Sequence, residues 1–142
     1  MAIALKRAYE KPSLSDGMRV LVDRLWPRGL SKQAAGIDVW LRDLAPSTEL
    51  RRWFHARPGM WLVFRKRYLE ELAQAEAAAA LEELYRVART RKKVTLIFSS
   101  RNSERNNAAI LKELMEGMRK PPSGAGPAAA ARGRVRAVRS RG

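Results

Sequence analysis

The stretch Lys93-Val94-Thr95-Leu96-Ile97-Phe98-Ser99 is β-branched, aromatic and almost wholly apolar. A short run without polar alternation fits a strand covered on both faces, as strands of parallel sheets are. Two shorter segments toward the N-terminus read the same way, Ile3 to Lys6 and Met18 to Val22. The polar segment Glu10 to Gly17, with Pro12 and Gly17, forms the turn between them. The long interval between the second and third strands has helical character. Ile37, Trp40, Leu41 and Leu44 have helical spacing and stop before Pro46. Ser47 stands where an N-cap belongs, Glu49 suits the positive end of a helix dipole, and Leu50, Trp53 and Phe54 supply an apolar stripe. A second stripe, Trp61, Phe64, Tyr68 and Leu72, is offset by charged residues, and Ala77 to Ala88 continues with Leu81, Leu84 and Tyr85 on one face. After the third strand, Asn102 or Ser103 is placed to cap a last helix that turns Ala108, Leu111 and Met115 inward and ends at Gly117.

Strands separated by helices predict an α/β fold with a small, partly parallel sheet flanked by helices. One domain is expected over residues 1–118. Residues 119–142, a mixture of Arg, Ala, Pro and Gly with little to bury, read as a disordered basic tail.

The chain has 142 residues, enough for one ordinary core, and no cysteine, which removes disulfides and thiolate metal sites from consideration. Its start has only Ala2 to Leu5 as an apolar run before Lys6 and Arg7, too short for a signal-peptide core or a membrane span. A cytoplasmic protein without membrane attachment is expected. The net charge is +15, and the seven cations from Arg119 onward, with no acid among them, leave the remainder at +8. Such a surplus attracts polyanions over long range. The expected partners are an anionic small molecule or, through the basic tail, nucleic acid.

The second strand ends abruptly in Asp23, Arg24, Trp26, Pro27, Arg28 and Gly29. Charge at a strand end must be paired, exposed or bound to something, because burying it alone is costly. Ligands of open α/β sheets collect beyond the carboxyl ends of the strands. If the second and third strands are parallel neighbours, the loop Asp23 to Ser31 and the turn Ser99 to Asn107 share one crevice. In that crevice Arg24, Arg28 and Arg101 would clamp an anion. Ser99 and Ser100 would offer hydroxyls and backbone N–H groups, and Trp26, Ser31, Arg51 and Asn106 would complete the binding set. Any catalysis would fall to Asp23, as base or as orienting carboxylate. The turn lacks the glycines of a P-loop or a dinucleotide fingerprint, so no nucleotide cofactor is expected. His55 is the sole histidine, and no metal site is expected around it.

The strings RVLVDRLWPRGLSK, DLAPSTELRRWF, Trp61 with FRKRYLEEL, and VTLIFSSRNSERNNAAILKEL, in order from about Leu5 to Leu114, resemble the YeaO-like group of the family called domain of unknown function 488. The resemblance implies a small cytosolic α/β protein of a family without an established biochemical role. Two departures stand out. Family members carry Gly-His-Asp-Pro after the Trp-Phe pair, where this chain has His55-Ala56-Arg57-Pro58. Many carry an acidic pair and His-Asn before the last helix, where it has Ser103-Glu104-Arg105-Asn106. These departures bear on catalysis and leave the binding set, with Ser47, in place.

Overall fold

A computed structural model describes residues 2–117. They form two compact units. One takes the chain up to Ala45 together with the part from Leu84 onward, and the other takes Pro46–Glu83. The tail expected to be disordered lies outside the described residues.

The first unit is built on a four-stranded sheet of β1 (Ala2–Arg7), β2 (Met18–Leu21), β3 (Val39–Trp40) and β4 (Lys93–Phe98). Every pairing is parallel, and the order is β1-β4-β2-β3. The Lys93–Phe98 run is therefore an interior strand. Leu96 is in register with Leu5 of β1 on one side and Val20 of β2 on the other. Val94, Leu96 and Ile97 are fully buried, which explains the absence of polar alternation. Helix α5 (Asn107–Gly117) packs on β1 and β4 and buries Ala108, Ile110, Leu111 and Met115. A second apolar cluster gathers Ala8, Leu21 and Ile97 with Trp26, Leu30, Ile37 and Trp40. The two tryptophans meet edge to face at 5.6 Å.

The helix expected over Ile37–Leu44 does not form. The short helix α1 (Lys32–Ala35) stops at Gly36, which takes a left-handed conformation (φ 59°, ψ 35°). The chain then runs parallel to β2 as β3. Asp38 N–H donates to Arg19 O, Leu41 N–H donates to Leu21 O, and Asp38 Oδ2 accepts the Arg19 N–H. A 3-10 turn, Arg42–Leu44, follows. Ile37, Trp40 and Leu44 are indeed turned inward, but by a strand followed by a tight turn.

The buried carboxylate of this unit is paired. Asp16, 6 % exposed, accepts from Lys6 Nζ at 3.0 Å, Arg19 Nη1 at 2.7 Å and Ser13 N–H at 2.9 Å. The Arg19 guanidinium also donates to the carbonyls of Ala35 and Gly36, and Thr95 Oγ1 donates to Asp16 O at 2.6 Å. One carboxylate thus fastens the turn before β2 to β1, β2 and β4. Burial alone would raise the Asp16 pKa. The Ser13 N–H and the Lys6 and Arg19 side chains outweigh it and hold the carboxyl below the ordinary value of 3.8.

In the second unit, α2 (Thr48–Ala56) and α3 (Trp61–Leu72) follow the expected stripes. Ser47 caps α2 by accepting the Leu50 N–H at 3.1 Å. Glu71 of α3 accepts both the Ser47 N–H (2.8 Å) and its hydroxyl (2.6 Å). Phe54, Phe64 and Tyr68 form a stacked aromatic column, with Trp61 against Phe54 and Phe64. Helix α4 (Ala75–Thr90) leads back to β4.

Candidate ligand site at the strand carboxyl ends

Because β2 and β4 are parallel neighbours, their carboxyl ends emerge side by side. Val22 N–H donates to Ile97 O at 3.1 Å, carrying the pairing one residue past β2. Asp23 comes next. Its Oδ2 accepts the Ser99 N–H at 2.8 Å, and its Oδ1 faces Asn107 Nδ2 at 3.3 Å. Asn107 Nδ2 also donates to Val22 O at 3.0 Å, and Asp23 O accepts from Trp40 Nε1 at 2.7 Å. Asp23 is therefore the point at which β2, the Ser99 turn, the start of α5 and β3 meet. Both carboxylate oxygens of Asp23 thus face donors of the neighbouring segments.

Arg24 follows it, partly buried. Its single hydrogen bond among the described residues runs from Nη2 to Ala45 O at 3.4 Å, and its Nε is buried without a partner. Trp26 donates through Nε1 to Leu30 O at 2.7 Å, closing its own loop, and its ring belongs to the apolar cluster. The Arg28 side chain is exposed, while its backbone O accepts from Tyr9 Oη at 3.0 Å. Ser31 caps α1 by accepting the Ala34 N–H at 3.0 Å.

Across the junction, Ser100 Oγ accepts the Asn102 N–H at 3.2 Å and Arg101 is exposed. Asn102 Oδ1 accepts the N–H groups of Glu104 and Arg105, making a turn ahead of the helix. The cap of α5 is Asn106, whose Oδ1 accepts the Ala109 N–H at 2.9 Å while its Nδ2 donates to Asn102 O at 2.8 Å. That corrects the expected cap at Asn102 or Ser103. Asn106 is 4 % exposed, so its amide is committed to the fold. Arg51 is exposed on α2, in the Pro46–Glu83 unit.

One contributor, Arg7, escaped the sequence reading, and Asn107, expected only as the end of the crevice turn, has a specific part. Arg7, the last residue of β1, donates through Nε to Ser100 O (2.9 Å) and through Nη2 to Ser99 O (3.2 Å), and lies over the Tyr9 ring at 5.3 Å. Asn107 holds Asp23 and Val22. The signal for Arg7 was available, since β1 ends in charge as β2 does. Among the described residues no three His, Cys, Asp or Glu side chains cluster as metal ligands would, and no helix is long and apolar enough to cross a membrane.

The family model described as the inactive DUF488-N3 subclade matches residues 2–130. The chain belongs to the DUF488 family. Among its DUF488 relatives is the uncharacterized protein YeaO of Escherichia coli (strain K12), 42% identical over 120 residues, spanning 83% of this chain and 100% of the relative. Another is the uncharacterized protein Rv3073c of Mycobacterium tuberculosis (strain ATCC 25618 / H37Rv), 40% identical over 115 residues, spanning 81% and 94%. No solved structure matches this DUF488 chain.

Proposed function

We propose that this protein binds an anionic small molecule, phosphorylated or nucleotide-like, at the carboxyl ends of β2 and β4, without catalysis by Asp23. The observation that carries the reading is the under-bonded Arg24 guanidinium. A guanidinium has five N–H donors, and buried donors are nearly always partnered. Here the Nε is buried and unpaired, and the one acceptor sits at 3.4 Å. Phosphate or carboxylate oxygens would match that fork. Arg28 and Arg101, both exposed, extend from the two segments that meet at Asp23. The description of the matched subclade as inactive agrees with a carboxylate given over to positioning.

Titration calorimetry with inorganic phosphate, nucleotides and sugar phosphates tests this. Arg28→Ala and Arg24→Ala are each expected to lower affinity for the compound that binds, by about tenfold or more. Arg28→Ala should leave thermal stability unchanged. Undiminished affinity in both variants would end the proposal.

One observation favours a second reading, binding to nucleic-acid phosphates. Between Leu50 and Glu70 there are six cations and no acid, and Arg57 and Arg67 lie over the Trp53 ring at 5.5 and 4.4 Å. Affinity for short DNA or RNA would then fall steeply with salt.

A further inference from the structure

The opposite end of the same sheet carries a concavity of about 590 Å³, a size usual for small-molecule sites. It lies at the amino ends of the strands, where Met18 opens β2, Val39 opens β3 and Lys93 opens β4. Arg91 and Lys92 precede Lys93 on its rim, and none of the three has an ion-pair partner among the described residues. Asp38, the single acid of the lining, is already engaged through Oδ2 with the Arg19 N–H. The charge of the concavity is therefore positive.

Its other character is apolar. Leu14 is wholly exposed, at 104%, and it is not on a loose loop. It sits on the 3-10 turn Leu14–Asp16, where Ser13 N–H donates to Asp16 Oδ2 and Asp16 N–H donates to Ser13 O. Asp16 is itself locked by Lys6 and Arg19. The buried network thus holds one large apolar side chain out in water beside Met18 and Val39. Gly17 shapes the wall: with φ 65°, it passes so close to β4 that a Cβ would stand 2.4 Å from Lys93 O.

We propose that this concavity is a second binding site, taking a small amphiphilic anion whose apolar body lies on Leu14, Met18 and Val39 and whose phosphate-like head meets Arg91, Lys92 and Lys93. Neither half of the lining suffices alone. Two exposed cations and the half-buried Lys93 would attract any anion and a lone leucine any apolar body, whereas their convergence selects a ligand with both parts.

The experiment is an amide-resolved NMR titration of the full chain with 1-naphthyl phosphate, with inorganic phosphate and 1-naphthol as the two half-ligands. The naphthyl phosphate is expected to bind about tenfold or more tightly than either half. It should shift the amides of Gly17, Lys92 and Lys93. Leu14→Asp and Lys92→Glu, both at exposed positions, should each weaken it by a similar factor, with Leu14→Ser in reserve if the aspartate variant fails to fold. Arg24→Ala should leave it unchanged, which separates this site from the one at the carboxyl ends. Equal binding of inorganic phosphate, shifts confined to Ser99 and Asn107, or indifference to Leu14 would overturn the proposal.

Discussion

The Ser99 N–H donates to Asp23 Oδ2 at 2.8 Å, across 76 residues of chain. It ties the last pairing of β2 to the first residue beyond β4. Asn107 Nδ2 approaches the other carboxylate oxygen, so both oxygens face donors. Asp23→Ala is expected to destabilise the protein by roughly 1–3 kcal/mol, since it leaves the part-buried Ser99 N–H without its acceptor and Asn107 Nδ2 with Val22 O alone. Asp23→Asn should rescue little, because its amide nitrogen would face an N–H in either orientation. Urea denaturation measures both, and full stability in the asparagine variant would contradict the positioning role.

The second expectation concerns acid. The Asp16 carboxyl titrates below the ordinary 3.8 in the native state, so the unfolded chain binds its proton at higher pH than the folded one. Its contribution is complete above the ordinary value and is lost as pH falls through the lowered native one. Asp16→Asn should flatten the stability profile below about pH 4. It should also cost about 3–5 kcal/mol at neutral pH, because it leaves Lys6 and Arg19 uncompensated. Denaturation at a series of pH values reads both effects.

Gly17→Ala meets both a left-handed φ and a contact with backbone that has no freedom to withdraw. A loss of more than about 1 kcal/mol is expected. Gly29 also has a positive φ, 84°, but nothing lies within 4 Å of a Cβ there. Gly29→Ala should therefore cost less, and the difference between the two melting temperatures isolates the contact with Lys93 O.

In the Pro46–Glu83 unit, Ser47→Ala removes a helix cap, an effect of about 1 kcal/mol, and also the hydroxyl that Glu71 accepts. A double-mutant cycle with Glu71→Ala should show coupling of about 0.5–3 kcal/mol. Strict additivity would mean that the cap acts without Glu71.

Much of this could be read from the chain. The apolar run of β4 is legible because the strand lies inside the sheet, with Val94, Leu96 and Ile97 fully buried. The stripes of α2 and α3 survive because a period of 3.6 sustained over several turns has no competing explanation. Strand β3 could not be read, since two residues of pairing leave no period and Ile37, Trp40 and Leu44 mimic a helix. The α5 cap was displaced because Asn102 and Asn106 are chemically equivalent, and only the fold decides that one makes a turn and the other the cap. Charge at a strand end singled out Asp23, and the Ser99–Asn107 turn was expected beside it, but the individual hydrogen bonds from Ser99 and Asn107 were not legible because they depend on the fold. The concavity at the amino ends was hidden for the same reason.

The strand order has a consequence for synthesis. β1 and β2 emerge early and never pair with each other; each is paired to β4. β2 meets β3 soon after it, but at about 5–20 residues per second the ribosome leaves β1 without a hydrogen-bonding partner, and β2 with one edge bare, for seconds. During that interval those edges are open to other nascent chains. A premature stop anywhere before Lys93 would therefore abolish the pairing of β1 altogether, and a helper that shields extended segments would matter most before β4 is made.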